Sequence, residues 1–579
     1  MTRIPSRRGA AAFATATVAL GLAACGGNGG DGGGAQPLAC GDLATLTVPA
    51  ASIGLPTTGA TVTSAQVVAA AGSGVTAVGE YCRVQAQIAG VSASAPAIRL
   101  QVNMPTTWNN KAMMFGGGGY NGTVATGTGN VPAGPTDKAT PLGRGYATFG
   151  SDSGHAAGAA GSRDGSFGAN DEALRNFGGD ALKKTRDTAM AIIRARYGAG
   201  PARTYFAGGS TGGREALIAV GNWPQDFDGA IVLYPAWNAV ALDLHLGRTT
   251  QALAQPDAYP SRDQRRVLFD AAMQACDGLD GVVDGLISNQ LACEARFDPA
   301  SATLNGVPIQ CPLGVNNATC LTPQMIAAIR VFERPTLLSY RLPSGETGHT
   351  GYATWGTDLG ISTAGFNATQ LALQPTVVTL TWGVRQPANP MPSAVNALDT
   401  PPYGSTFWEQ WVKYFVTRDP SYNSLALDPV VPGASLQRIL DLNTIQDANR
   451  TDFSELRAKG AKILIAHGVH DGLVPARGSQ QLMQRIRGTM GSAAVDSFIR
   501  YYEIPGYNHA LSTQFNAAWD SLTALEAWVE QGTAPTNQVV ADTAAVAGRT
   551  RPLCEYPSWP RYKGTGDVNL AASFTCATQ

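Results

Sequence analysis

Between residues 97 and 236, and again after 447, short apolar runs alternate with stretches of helical periodicity. Residues 97–104 (AIRLQVNM), 111–115 (KAMMF), 145–151 (GYATFGS), 203–207 (RTYFA) and 228–234 (DGAIVLY) have the length and apolar density of strands. Residues 179–197 and 215–223 (EALIAVGNW) carry helical spacing between them. The rhythm resumes as a helix over 451–460, a strand over 462–466 (KILIA), a helix over 479–487, a strand over 497–504 (SFIRYYEI) and a helix within 515–531. A helix between two strands returns the chain so that they can pair in parallel. The expected fold is therefore α/β, a mostly parallel sheet with helices on both faces. Only residues 237–446 break the rhythm, where Pro, Thr, Asn and Trp accumulate. This predicts one core in two parts, 40–236 and 447–579, with 237–446 inserted as a lid domain.

The N-terminus reads as an export signal. Arg3, Arg7 and Arg8 precede a small, apolar stretch over 9–21, and Leu22-Ala23-Ala24-Cys25 follows. That ending is similar to a bacterial lipobox, in which residues 1–24 are removed and Cys25 is lipidated; ordinary cleavage with a spare thiol is the alternative. Residues 25–39, rich in Gly, would then be a flexible tether. No later stretch approaches the about 20 apolar residues of a membrane span. Any membrane attachment is expected to be lipid, with the body extracytoplasmic, either periplasmic, held at the outer membrane, or secreted.

Nine cysteines are present, and setting Cys25 aside leaves eight. Sequence-local clustering favours Cys276–Cys293, Cys311–Cys320 and Cys554–Cys576, with Cys40–Cys82 by remainder; such bonds suit an oxidising compartment. Thiolate metal binding is the competing use, but no Cys-x-x-Cys spacing supports it. With 41 basic against 42 acidic residues, the chain lacks the positive excess that nucleic acid demands. A small-molecule substrate is expected instead.

Gly208-Gly209-Ser210-Thr211-Gly212 fits G-x-S-x-G between a strand and a helix, where a sharp turn exposes the Ser hydroxyl above the sheet. A nucleophilic Ser needs a base, and the base needs an acid to orient it. Asp471 follows KILIA, and His509 follows SFIRYYEI, so both fall in loops at strand C-terminal ends. The order Ser210, Asp471, His509 is that of α/β-hydrolases. Among the other five His, His467 and His470 would reverse that order, His245 and His349 lie in the insert, and His155 is read as a loop brace. Gly116–Gly122 formally contains G-x-G-x-x-G, yet residues 123–137 lack the helix a dinucleotide requires. The expectation is an oxyanion loop, with Gly119 N–H and Thr211 N–H as donors; a plain tight turn is the alternative. In CDGLDGVVDGL (276–286), three closely spaced Asp separated by glycines offer hard oxygen ligands for Ca²⁺, or simply a solvated acidic turn.

Together these stretches resemble the tannase/feruloyl esterase family of serine esterases. The match runs through GGGGYNG, Gly-Gly-Ser210-Thr-Gly-Gly-Arg214, CDGLDGVVDG, the Asp471 and His509 loops and the tail RTRPLCEYPSWPRYKGTGDVN. The resemblance implies an α/β-hydrolase core with a large lid and a Ser210–His509–Asp471 triad. It also implies a structural Ca²⁺ on the Asp277, Asp280 and Asp284 side chains with the Val282 and Leu286 carbonyls, and no organic cofactor. The implied function is hydrolysis of feruloyl- or galloyl-type aromatic acid esters through an acyl-enzyme. A mono(2-hydroxyethyl) terephthalate hydrolase-like esterase and, from another class, a non-catalytic surface-binding lipoprotein are the alternatives.

Two departures matter. The family usually carries a cysteine pair beside the nucleophile and the catalytic His, where Gly209 and Ala510 stand. The Ser210 and His509 loops are accordingly expected to be held by packing alone and to move more. The terephthalate branch grips its substrate carboxylate with a lid Arg, and 399–407 contains none; Arg385, Lys413 and Arg418 are the nearby cations. Trp408, Trp411, Tyr414 and Phe415 could wall an aromatic pocket or simply pack a core.

Overall fold

A computed structural model of the chain describes residues 36–158, 160–361, 381–392 and 401–578. The stretch expected to be an export signal, residues 1–24, and Cys25 lie outside the described residues. Residues Pro37–Gln579 form one compact unit.

Its centre is a ten-stranded sheet in the order β1-β2-β3-β4-β6-β5-β7-β8-β9-β10. The strands are β1 (Thr47–Val48), β2 (Gly59–Val68), β3 (Tyr81–Ala89), β4 (Ile98–Pro105), β5 (Lys111–Phe115), β6 (Ala147–Ser151), β7 (Arg203–Gly209), β8 (Gly229–Leu233), β9 (Lys462–Gly468) and β10 (Ile499–Ile504). From β6 to β10 every pairing is parallel. From β1 to β4, and between β4 and β6, every pairing is antiparallel. The sheet is thus mixed, with six of its ten strands paired in parallel as expected and an antiparallel edge added by β1–β4, three of which precede the first strand expected from the sequence.

Along the parallel half, alternate residues enter different cores. Phe206, Ala230, Val232, Ile463 and Ile465 face one side. There they meet α1 (Ala181–Tyr197), α2 (Thr211–Asn222) and α7 (Ala476–Met490). Tyr205, Ile231, Leu233, Leu464 and Ala466 face the other side with Leu522, Leu525 and Trp528 of α8 (Ser521–Gln531). Covering both faces is what makes each strand apolar throughout rather than alternating.

The chain leaves the sheet after β8 and returns at β9, which pairs in parallel with β8. The described part of this insert contains α3 (Ala239–Leu253), α4 (Arg262–Cys276), α5 (Pro323–Glu333) and α6 (Tyr403–Gln410). Its apolar residues form a cluster of their own, joined by Tyr120, Phe167 and Phe177 from the first part of the chain. Trp408, Trp411 and Phe415 are fully buried in this cluster. They pack the insert's core and do not line the active-site cavity described below. All four expected disulfides are present: Cys40–Cys82, Cys276–Cys293, Cys311–Cys320 and Cys554–Cys576. Eight bonded cysteines leave no thiolate among them for a metal, and they place the folded body in an extracytoplasmic setting. Among the described residues, no helix is long and apolar enough to cross a membrane.

Candidate active site

Ser210 sits on the turn between β7 and α2 with φ +58° and ψ −125°, a conformation that L-residues rarely adopt. The turn is held from both sides: Ser210 N donates to Leu233 O at 3.0 Å, while Ala236 N donates to Ser210 O at 3.1 Å. Three residues after β9, Asp471 is buried, with Oδ2 2.7 Å from His509 Nδ1. Asp471 Oδ1 accepts the N–H groups of Leu473 at 2.8 Å and Val474 at 2.9 Å. Burial pushes the Asp471 pKa up, but the His509 charge and hydrogen bonds from His467 and His509 outweigh it. The net effect holds this carboxyl well below the usual carboxylate range. An imidazole whose Nδ1–H is given to a buried carboxylate presents Nε2 as an acceptor, which suits removal of a proton from a hydroxyl.

Ser210 and His509 open onto one cavity of about 520 Å³. Among the described residues no hydrogen bond joins Ser210 Oγ to His509; such bonds are often long before a substrate is bound and tighten afterwards. Gly116–Gly119 lie on the same cavity, as do Tyr403, Phe407, Leu246 and Leu473. None of its described lining residues is Lys, Arg, Asp or Glu. Of the cations named above, Lys413 pairs with Glu409 at 2.5 Å and Arg418 pairs with Asp171; Arg163, buried behind the cavity, lies over the Tyr403 ring at 5.9 Å.

The glycine loop is not followed by a helix, so it lacks the dinucleotide geometry. Gly119 has φ +59°, and a Cβ there would stand 2.4 Å from Ser162 O, so only glycine fits. Thr211 Oγ1 donates to Gly119 O at 2.7 Å, tying the loop to the Ser210 turn. Among the described residues Gly119 N–H makes no backbone hydrogen bond, and Thr211, as the first residue of α2, has no acceptor within its own helix.

Several positioning groups escaped the sequence reading. Glu215 is buried beneath the loop; its Oε2 accepts Gly117 N–H at 2.8 Å, and its Oε1 accepts Asn121 Nδ2 at 2.6 Å and Ser153 Oγ at 3.2 Å. A charged residue in the apolar run EALIAVG was the available signal. Arg214 is fully buried and donates to Gln446 O at 2.7 Å and Phe177 O at 3.0 Å, fastening the returning insert to α2. His155 does brace the loop, through Nε2 and Tyr120 O at 2.6 Å. Burial lowers its pKa to about 4, so it stays neutral.

The two catalytic-side loops are held by more than packing. Asn508 Oδ1 accepts Gly472 N–H at 3.0 Å and His509 N–H at 2.8 Å, and Tyr507 Oη donates to Ala510 O at 3.0 Å. For the His509 loop the expectation of packing alone is corrected; none of these bonds reaches the Ser210 turn.

In the acidic segment, Asp277 Oδ1 accepts Asp284 N–H at 3.0 Å, Asp280 Oδ1 accepts Val282 N–H at 3.2 Å, and Asp284 pairs with Arg551. Asp280 Oδ2 is buried without a hydrogen-bond partner among the described residues. Burial raises the Asp280 pKa to about 7. Among the described residues, no group of three His, Cys, Asp or Glu stands in a metal-holding arrangement. The tail explains the signature quoted above: Arg549 donates to Asp284 O at 3.1 Å, and Arg551 stacks on Phe574.

A serine on a strained strand-to-helix turn, followed along the sheet by an acid and a histidine, defines an α/β-hydrolase architecture. Solved structures of the same fold include feruloyl esterase B from Aspergillus oryzae (TM-score 0.69, 21% identity, 90% of this chain and 98% of that one). Tannin acyl hydrolase from Aspergillus niger also shares it (TM-score 0.63, 18% identity, 90% and 92%). The model of the tannase and feruloyl esterase family matches residues 82–577, and the chain belongs to that family. It is a carboxylic ester hydrolase. Similar proteins include an uncharacterised esterase of Agrobacterium fabrum, 37% identical with 93% of both chains covered. A mono(2-hydroxyethyl) terephthalate hydrolase of Piscinibacter sakaiensis is 30% identical, with 86% of this chain and 85% of that one covered.

Proposed function

We propose that the protein hydrolyses esters of aromatic carboxylic acids through an acyl-enzyme on Ser210. The observation that carries this reading is one uncharged, partly aromatic cavity reached by both Ser210 and the Asp471-bonded His509. His509 Nε2 takes the Ser210 proton as Oγ attacks the ester carbonyl, while Asp471 holds the imidazole and stabilises its charged form. Gly119 and Thr211 N–H groups receive the oxyanion. His509 returns the proton to the departing alcohol, then activates a water that cleaves the acyl-enzyme. The insert acts as a lid, in which Tyr403 and Phe407 pack against the aromatic acid.

Among such esters, feruloyl- and galloyl-type acids fit best, because none of the described lining residues carries a charge to partner a second carboxylate. The terephthalate monoester is the second reading, favoured by similarity to the Piscinibacter sakaiensis enzyme. A panel of methyl ferulate, methyl gallate, short p-nitrophenyl esters and mono(2-hydroxyethyl) terephthalate separates the two. The expected result is turnover of the methyl esters, weaker turnover of the monoester, and loss of all activity in Ser210→Ala. Absence of turnover by folded wild type on every ester overturns the reading.

Two further assignments belong to it. The Asp277, Asp280 and Asp284 side chains with the Val282 and Leu286 carbonyls would hold Ca²⁺, which supplies rigidity, not chemistry; the orphaned Asp280 Oδ2 supports this. Cys25 would carry the lipid anchor, so Cys25→Ser should abolish metabolic labelling with a fatty acid.

A further inference from the structure

Tyr234 is the first residue after β8 and has φ +36°, a left-handed backbone that a bulky residue adopts only under constraint. Its N–H donates to Ala466 O of β9 at 2.8 Å, which fixes where the side chain starts. From there the ring lies against the nucleophile turn. A Cβ on Gly209 would stand 2.6 Å from Tyr234 Cε2, 2.7 Å from Cζ and 2.7 Å from the hydroxyl, so the glycine beside Ser210 is the cradle of this ring. Its centroid is 4.7 Å from the His509 imidazole. The Tyr234 ring also packs edge-on against that of Tyr507, with centroids 6.2 Å apart. Tyr507 donates its hydroxyl proton to Ala510 O at 3.0 Å. Burial pushes both phenols up and keeps them neutral. Ala510, held by the Tyr507 hydroxyl, has φ +62° and follows the histidine directly.

We propose that Tyr234 is a positioning residue that locks the His509 loop to the Ser210 turn, its ring filling the cradle at Gly209 and packing against His509 and Tyr507. It fills the space at Gly209 and presses on the loop that carries Ala510, the two positions where family resemblance would put a cysteine pair. One consequence is reciprocity of size: a tyrosine at 234 demands glycine at 209. The role deepens the esterase reading and rests on it, because what is positioned is the base against its nucleophile.

The test compares Tyr234→Phe, Tyr234→Ala, Gly209→Ala and the double variant Gly209→Ala/Tyr234→Ala, with kcat and KM measured on methyl ferulate. Tyr234→Phe, which keeps the ring, should leave kcat within about twofold of wild type, whereas Tyr234→Ala should lower it by about 100-fold, with KM nearly constant, since misplacement of a reacting group costs rate and not binding. Gly209→Ala alone should lower kcat strongly, but in the Tyr234→Ala background it should add almost nothing, because the collision it makes is gone. Hydrogen exchange of the peptide spanning 505–512 should accelerate in Tyr234→Ala, a readout that holds whether or not any ester is cleaved. Wild-type turnover that survives Ser210→Ala would sink the esterase reading and leave the exchange result standing. An unchanged kcat and unchanged exchange in Tyr234→Ala, or additive losses in the double variant, would overturn the role of Tyr234.

Discussion

Replacing Asp471 by Asn should disable catalysis while leaving the fold in place. Asp471 Oδ1 is committed to the N–H groups of Leu473 and Val474, at 2.8 and 2.9 Å. An asparagine keeps both bonds only by presenting its amide oxygen there, which turns its NH₂ group toward His509 Nδ1, at the place of the present 2.7 Å bond. Two donors would then face each other. The imidazole escapes by moving its proton to Nε2, and so loses the lone pair that would accept the Ser210 proton. The same acid-to-amide change in serine proteases lowers kcat by about 10,000-fold, which corresponds to about 5 kcal/mol of transition-state stabilisation. Steady-state kinetics of Asp471→Asn on a p-nitrophenyl ester reads the effect, with the melting curve as a control. A loss smaller than about tenfold in a folded variant would mean that Asp471 does not orient the base.

Three other outcomes follow from the same geometry. Thr211→Val keeps the oxyanion N–H but removes the 2.7 Å bond to Gly119 O, a hydrogen bond worth about 1 kcal/mol. Its kcat should fall by about fivefold with little change in melting temperature. Phe407→Ala should raise KM for methyl ferulate by about tenfold or more while sparing p-nitrophenyl acetate, which has no aromatic acid to pack. Chelation should lower the melting temperature and added Ca²⁺ should restore it, whereas Asp280→Asn should make the protein insensitive to both; equal melting with and without chelator refutes the calcium assignment.

The parallel half of the sheet was legible because helices cover both faces, so β7, β8 and β9 read as unbroken apolar runs. Strand β2 was not, since GATVTSAQVV exposes Thr61, Thr63, Gln66 and even Val67 and so lacks a clean alternation. Strand β3 does alternate buried Cys82, Val84, Ala86 and Ile88 with less buried residues, a two-residue period weakened by its polar Arg and Gln. The three residues Ser210, Asp471 and His509 were legible from order and from strand ends alone. The cavity wall was not. Trp408, Trp411 and Phe415 have a spacing that suits either a core or a pocket, and what decides is the surface each meets. Trp408 lies against the bare backbone of Gly247, and Phe415 against that of Gly168, both distant in sequence. Tyr403 and Phe407, on the same helix α6 as Trp408, are the aromatics that reach the cavity shared by Ser210 and His509. Tyr234 gave no signal at all, because its meaning lies in the missing side chain at Gly209.

The central claim, that Ser210 is the nucleophile activated by His509 and Asp471, is tested most directly with a p-nitrophenyl phosphonate. Wild type should release one p-nitrophenolate per chain and lose its esterase activity, with the phosphonyl group on the peptide that contains Ser210. Release should vanish in Ser210→Ala and slow sharply in Asp471→Asn. A chain that hydrolyses esters but is not labelled, or whose labelling persists in Ser210→Ala, would contradict the account.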